Sequence, residues 1–247
     1  MDRMLYIAMA GAKQTVRAQS VNANNLANSN TTGFRADIQF ATDRQVYGDG
    51  HRSRAYNETV SPGINLNRGS VISTGRALDV VVSDKAYLVV QTADGKEGYT
   101  RAGNLKVTAN GLLQTAGGHP VLGNNGPIAL PPYEKLEIGV DGTITVLPKG
   151  QSAAALSVVD RIKLVKPDES QFSKNEQGLL VLPQGTAVPN PDPKVRLTAG
   201  MIESSNVNSI ESLITMMDLS RQFEMNIKLM RSAKENDTAV AALLKLN

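Results

Sequence analysis

The sequence predicts an α+β fold: N- and C-terminal helices that pair as a coiled-coil-like module, joined by a central β-rich domain. Three observations predict it. Apolar residues recur at alternating steps of three and four at both ends of the chain. The middle carries four Asx-Gly turn dipeptides between short apolar runs. Between these textures lie stretches broken by Gly and Pro. The boundaries follow as an N-terminal helix of an assembly core over 1–35, an extended connector over 36–75, a β-rich domain over 76–200 and a C-terminal helix of the core over 201–247.

The first helix runs from about Arg3 to Asn28. Leu5, Met9, Ala12, Val16, Ala23 and Leu26 fall at heptad spacing, interrupted only by Gln19. That narrow stripe asks for another helix as its partner rather than a broad core. The same spacing argues against a cleaved leader, although MLYIAMAGA (Met4 to Ala12) is apolar and follows Arg3. It is short for a signal peptide, Asp2 offsets the charge before it, and the periodicity continues through any cleavage point. Asn28, Ser29, Asn30, Thr31, Thr32 and Gly33 then stop the helix, because Asn and Ser side chains compete for backbone hydrogen bonds and Gly33 tolerates positive φ. Phe34 is the expected anchor at the turn. The Asn-rich run from Asn22 to Asn30 also suits side chains that fix helix register by hydrogen bonding.

Residues 36–75 are polar and lack periodicity, with Gly48, Gly50, Pro62, Gly63 and Gly69 breaking any pattern, so an extended or loosely ordered connection is expected. From Leu78 the texture becomes strand-like. Leu78, Val80 and Val82 alternate with outward positions, and Tyr87 to Val90 is a second apolar run. Turns are expected at Asp94-Gly95, Asn110-Gly111, Asn125-Gly126 and Asp141-Gly142. The last is the clearest hairpin, with Leu136, Ile138 and Val140 facing Ile144 and Val146. The Pro-rich segment 184–194 reads as an exposed loop.

From Ser209 to Leu246 there is neither Gly nor Pro. Leu213, Met216, Phe223, Ile227, Met230, Ala241 and Leu244 occupy heptad positions, with Ser220, Lys234 and Asp237 as exceptions. Ser209, followed by Glu211 and Ser212, offers only a loose N-cap. Two helices cannot cover all this apolar surface: Met217, Leu219 and Met230 would stay partly bare in an isolated pair, and neighbouring copies are the natural cover. Contacts through unlike surfaces would propagate as an open helical array.

Several function classes recede on composition. The 26 Lys and Arg residues are scattered, which leaves no electrostatic footprint for nucleic acid despite a net charge of +3. There is no Cys for disulfides or thiolate ligands, and no apolar run long enough to span a bilayer. His51 and His119 both read as surface residues. No phosphate-binding or dinucleotide-binding glycine motif occurs, and Asp79, Asp84 and Asp94 read as scattered solvated carboxylates rather than an acid/base pair. No catalytic, cofactor-binding or metal residue is assigned. Arg101 is left between two readings, an intersubunit or turn-fixing ion pair and a solvated surface charge.

Three motifs carry a resemblance to a known family. NNLANSNTTGFR, with Asn25, Leu26, Ala27, Asn28, Thr31, Gly33 and Phe34, closely resembles the N-terminal signature of bacterial flagellar rod and hook proteins. Tyr99, Thr100, Arg101, Gly103 and Asn104 are similar to the hallmark of that family's β domain. Glu203, Ser205, Asn206 and Val207, followed by Arg221 in Arg-Gln-Phe-Glu, resemble its closing helix. The resemblance implies a structural subunit of the flagellar basal-body rod, with itself and other rod subunits as partners. It also implies export by the flagellar type III apparatus without a cleaved signal peptide, and a place in the axial shaft crossing the periplasm.

Overall fold

A computed structural model of the protein describes residues 2–45, 55–83, 85–150, 156–183 and 185–244. His51 and Asp84 lie outside these residues, and the side chain of Leu244 is likewise outside the description. The chain divides into two compact units: residues 1–29, 36–65 and 207–247 form one, and residues 30–35 and 66–206 the other.

The first unit contains helix α1 (Asp2–Ala27), strands β1 (Asp37–Gln45) and β2 (Ala55–Ile64), and helix α2 (Ser209–Leu244). The segment expected to be a loose connector therefore begins with a paired hairpin. β1 and β2 run antiparallel from Asp37↔Ile64 to Gln45↔Ala55, with a register shift between Ile38 and Phe40. Its sequence carries few apolar residues, and Pro62 and Gly63 interrupt the second strand, which hides the pairing from a reading of side-chain pattern. The hairpin is tied to α1 through Asn25, whose side chain donates to the Asp37 carbonyl and accepts from the Asp37 amide, each at 2.8 Å. The start of α2 is better capped than expected. Asn208, not Ser209, supplies the cap, its Oδ1 accepting from the amides of Ile210 (3.1 Å) and Glu211 (3.4 Å).

The second unit is the β domain. It opens with β3 (Val71–Ser73), β4 (Val80–Val82), β5 (Tyr87–Gln91) and β6 (Glu97–Thr100), then β7 (Leu105–Val107), β8 (Leu113–Thr115), β9 (Leu122–Gly123) and β10 (Gly126–Pro127). A three-stranded sheet follows, β11 (Tyr133–Ile138), β12 (Thr143–Pro148) and β13 (Ser157–Arg161). The unit closes with β14 (Leu164–Val165), a 3-10 turn at Glu169–Gln171, β15 (Ser173–Lys174), β16 (Leu180–Val181), β17 (Leu197–Ala199) and β18 (Met201–Glu203). The largest sheet has the order β14-β5-β6-β16-β15.

Three of the four Asx-Gly dipeptides, Asp94-Gly95, Asn110-Gly111 and Asp141-Gly142, sit between antiparallel strand partners, β5/β6, β7/β8 and β11/β12, whereas Asn125 lies in the β9/β10 turn and Gly126 already opens β10 opposite Gly123. Their glycines, Gly95, Gly111, Gly126 and Gly142, all have positive φ, which the turns require and a side chain resists. In the last hairpin Leu136 pairs with Val146 and Ile138 with Ile144, as the alternation predicts, whereas Val140 is exposed. Val80, Val82, Leu88, Val90, Leu105, Leu113, Ile144 and Val146 belong to one continuous apolar core. Around Val80 the expected alternation fails, because Val81 is buried as well.

Candidate assembly surface

Where the two helices meet, the side chains are smaller and more polar than the apolar pattern suggests. Along α2, Ser212, Met216, Leu219, Phe223, Asn226, Met230 and Ala233 are the buried or half-buried residues between Ser209 and Ala242, and the rest of that span is exposed. Along α1 the corresponding line runs through Leu5, Ala8, Ala12, Thr15, Gln19, Asn22 and Leu26. Both follow three-four spacing. Asn22 Nδ2 donates to the Ser212 carbonyl at 2.7 Å, and Gly11 lies against Asn226, so the helices run antiparallel.

This line coincides with the expected seam only at alternate positions: Leu5, Ala12 and Leu26 on α1, and Met216, Phe223 and Met230 on α2. The intervening expected residues, Met9, Val16, Ala23, Leu213, Ile227 and Ala241, are exposed. Ala8, Thr15, Asn22, Ser212, Asn226 and Ala233 take their places in the helix pair. A search for apolar spacing passes over Thr, Asn and Ser, yet here Asn226 donates to the Thr15 hydroxyl and Asn22 to the main-chain carbonyl of Ser212.

The consequence is an uncovered apolar face. Met4, Tyr6, Ile7, Met9 and Val16 on α1 are about half exposed, as are Leu213, Ile214, Met217, Met225 and Leu229 on α2, with Ile210 at 70%. Large apolar side chains therefore remain exposed on both helices of the pair.

In the β domain the motif residues converge on a buried carboxylate. Arg101, whose role the sequence left open, is buried and ion-paired. Its Nε donates to Glu203 Oε2 at 2.8 Å, and its other nitrogens donate to the carbonyls of Ala86 (2.8 Å) and Val82 (3.0 Å). Arg35 Nη2 donates to Glu203 Oε1 at 2.5 Å, and Arg68 Nε lies 3.6 Å from Oε2. Burial alone would push the Glu203 carboxyl up, but the charges of Arg101 and Arg35 outweigh it and hold the group below the usual carboxylate range.

The neighbouring motif residues build this cluster's frame. Gly33 has φ +68° and donates its amide to the Glu203 carbonyl at 2.8 Å, and a Cβ there would lie 2.3 Å from the Arg101 carbonyl carbon. Gly103 is packed so closely that a Cβ would lie 1.7 Å from the Val80 carbonyl oxygen. Phe34 is buried beneath Lys174, whose Nζ lies 4.0 Å from its ring centroid. Thr100 Oγ1 accepts from the Ala102 amide at 3.1 Å, Asn104 bridges to Asp79, and Asn206 Nδ2 donates to the Asn67 carbonyl at 2.9 Å. Ser205 is buried, Val207 is half-buried, and Asn28 Nδ2 donates to the Asn24 carbonyl at 2.9 Å within the helix stop. Thr31 and Ala27 are exposed, and Arg221 is exposed 3.9 Å from Asp218. One expectation fails: Asp79 is not solvated but buried, accepting from Thr74 Oγ1 at 2.7 Å.

Tyr87 and Tyr99 complete the cluster's surroundings, both in contact with Phe172 at ring-centroid distances of 5.0 and 5.7 Å. Burial, with Glu169 beside Tyr87 and Glu97 beside Tyr99, pushes each phenol up to about 12. A raised phenol pKa favours the folded state below the ordinary value of 10.0, and that advantage is lost as pH rises through the folded value. Thermal unfolding midpoints of the β domain are therefore expected to fall from about pH 10 to about 12, and Tyr87→Phe should flatten the decline.

Two terminal helices with an uncovered apolar face, and a β domain organised on the Tyr-Thr-Arg-x-Gly-Asn and Glu-x-Ser-Asn-Val motifs, define a subunit built for axial assembly. The family comparisons agree. Residues 5–35 match the family described as flagella basal body rod protein, residues 81–146 the flagellar hook protein FlgE/F/G D1 domain, and residues 198–243 the flagellar basal body rod FlgEFG protein C-terminal. The chain belongs to the flagellar basal-body rod protein family. Among its relatives are the flagellar basal-body rod proteins FlgF of Salmonella typhimurium and of Escherichia coli, each 38% identical over 252 aligned positions that cover all of both chains. FlgG of Agrobacterium fabrum is 28% identical, covering 98% of this chain and all of its own.

Proposed function

We propose that the protein is a structural subunit of the proximal part of the flagellar basal-body rod and that its terminal helices assemble with those of neighbouring subunits as a coiled-coil-like array. It is a structural component, not an enzyme, and it serves flagellum-dependent motility. The observation that carries the assembly mechanism is the set of large apolar residues left exposed on α1 and α2, outside the small and polar residues of the intrachain contact. Such a pair is complete only when other helices cover it. Its partners are further copies of itself and other rod subunits, and the family relationship supports delivery through the flagellar type III export apparatus. End-to-end similarity to FlgF proteins favours the proximal rod over the distal rod or hook.

The test is to delete the gene, restore swimming with an epitope-tagged full-length chain, and image purified basal bodies with labelled antibody. Label at the cell-proximal end of the rod is expected. Label on the hook, or normal swimming without the protein, contradicts the proposal.

A further inference from the structure

Two locally unfavourable choices meet at one point in the helix pair. Gly11 is the single glycine of α1 and lies in its interior, where Gly weakens a helix. Asn226 occupies a contact-line position of α2, where an apolar residue would pack better. They face each other: a Cβ on Gly11 would come within 3.1 Å of Asn226 Oδ1. The room left by Gly11 admits the carboxamide, which points along the helix so that Nδ2 donates to Thr15 Oγ1 at 3.5 Å. The Thr15 hydroxyl in turn donates to the Gly11 carbonyl at 2.9 Å. The resulting relay runs from Asn226 through Thr15 to Gly11, and the Asn22–Ser212 bond stands further along the same interface.

We propose that Asn226, Thr15 and Gly11 form a register lock that sets the axial alignment of α1 against α2. Heptad-patterned helices offer near-equivalent alignments every seven residues, and apolar contacts discriminate poorly among them. A slip of one heptad would bring Asn226 level with Met4 or Ala18 instead of Gly11. Its carboxamide would then lie against Met, at most a weak acceptor, or Ala, which offers no polar atom, while Thr15 lost its cross-helix partner. The lock matters because the uncovered residues of both helices present one composite surface to neighbouring subunits. A slip of about 10 Å would scramble that surface while leaving each helix intact.

The absence of native cysteine allows a direct measurement on the full-length chain. Ser20 and Lys228 are exposed, one on each helix, and Ser20→Cys with Lys228→Cys takes a pair of nitroxide labels for pulsed electron–electron distance measurement. The labelled parent should give a single narrow distance distribution. Asn226→Leu and Thr15→Val should each add a second population displaced by about 10 Å, while retaining helix content by circular dichroism. Thr15→Ser, which keeps the hydroxyl, should restore the single peak. If Asn226→Leu fails to fold, Thr15→Val against Thr15→Ser still decides the matter. A broad distribution in the parent, or an unshifted single peak in Thr15→Val, overturns the proposal.

Discussion

Glu203→Gln is expected to destabilise the β domain by about 3–5 kcal/mol, the usual result of removing one partner from a buried ion cluster. The substitution keeps shape and volume but leaves the buried guanidiniums of Arg35 and Arg101, with Arg68 nearby, facing no anion. For a domain of this size that loss lowers the unfolding midpoint by roughly 10 °C. The damage should extend beyond the carboxylate, because the Glu203 backbone also holds the amide of Gly33. Differential scanning calorimetry of the full-length protein measures it. A midpoint within about 2 °C of the parent, corresponding to no more than about 1 kcal/mol, would show that the cluster is not what stabilises the domain.

The pH dependence provides a second check on the same residue. Because the Glu203 carboxyl titrates below its ordinary range, it stabilises the folded state fully above the unfolded value of about 4.3. That contribution disappears as pH falls through the lower folded value. Parent and Glu203→Gln proteins should therefore differ most near neutrality and converge in acid below about pH 4.

The β domain was legible where a single residue type dictates a local conformation. Three Asx-Gly pairs named their turns, Asn125-Gly126 missed its own by one residue, and Leu136, Ile138, Ile144 and Val146 named the inner face of their hairpin. Gly33 was readable as a stop, yet nothing local announced that its missing Cβ makes room for the backbone at Arg101. The Glu203 cluster was invisible for the same reason. It joins Arg35, Arg68, Arg101 and Glu203 from distant parts of the chain, and a charged residue carries no periodic signal of its burial. On the helices, apolar spacing identified two long seams, of which only alternate positions lie in the intrachain contact, since Thr15, Asn22, Ser212 and Asn226 pair there through polar groups. The β1–β2 hairpin has few apolar residues and carries Pro62 and Gly63 in its second strand, so a reading of side-chain pattern finds only a connector.

The second large effect is expected from the uncovered face of α2. Met217 is 55% exposed, outside the intrachain line formed by Met216, Leu219 and Phe223. Met217→Asp should leave the isolated protein nearly unchanged, within about 0.5 kcal/mol, as for most surface substitutions. In an assembled rod the same side chain would be covered by a neighbouring helix, where an unpaired carboxylate costs several kcal/mol or must take up a proton. Every subunit of the array would carry that cost, so cells expressing the variant should assemble few or no rods and lose swimming, while Met217→Leu swims normally. Phe223→Asp provides the contrast. Phe223 is half-buried in the chain's own helix pair, so its replacement should also reduce the helicity of the isolated protein. The two variants thus separate failure of assembly from failure of the helix pair. Full motility in cells carrying Met217→Asp would mean that this face of α2 looks into solvent in the assembled shaft, and the subunit contacts would then have to be sought on α1.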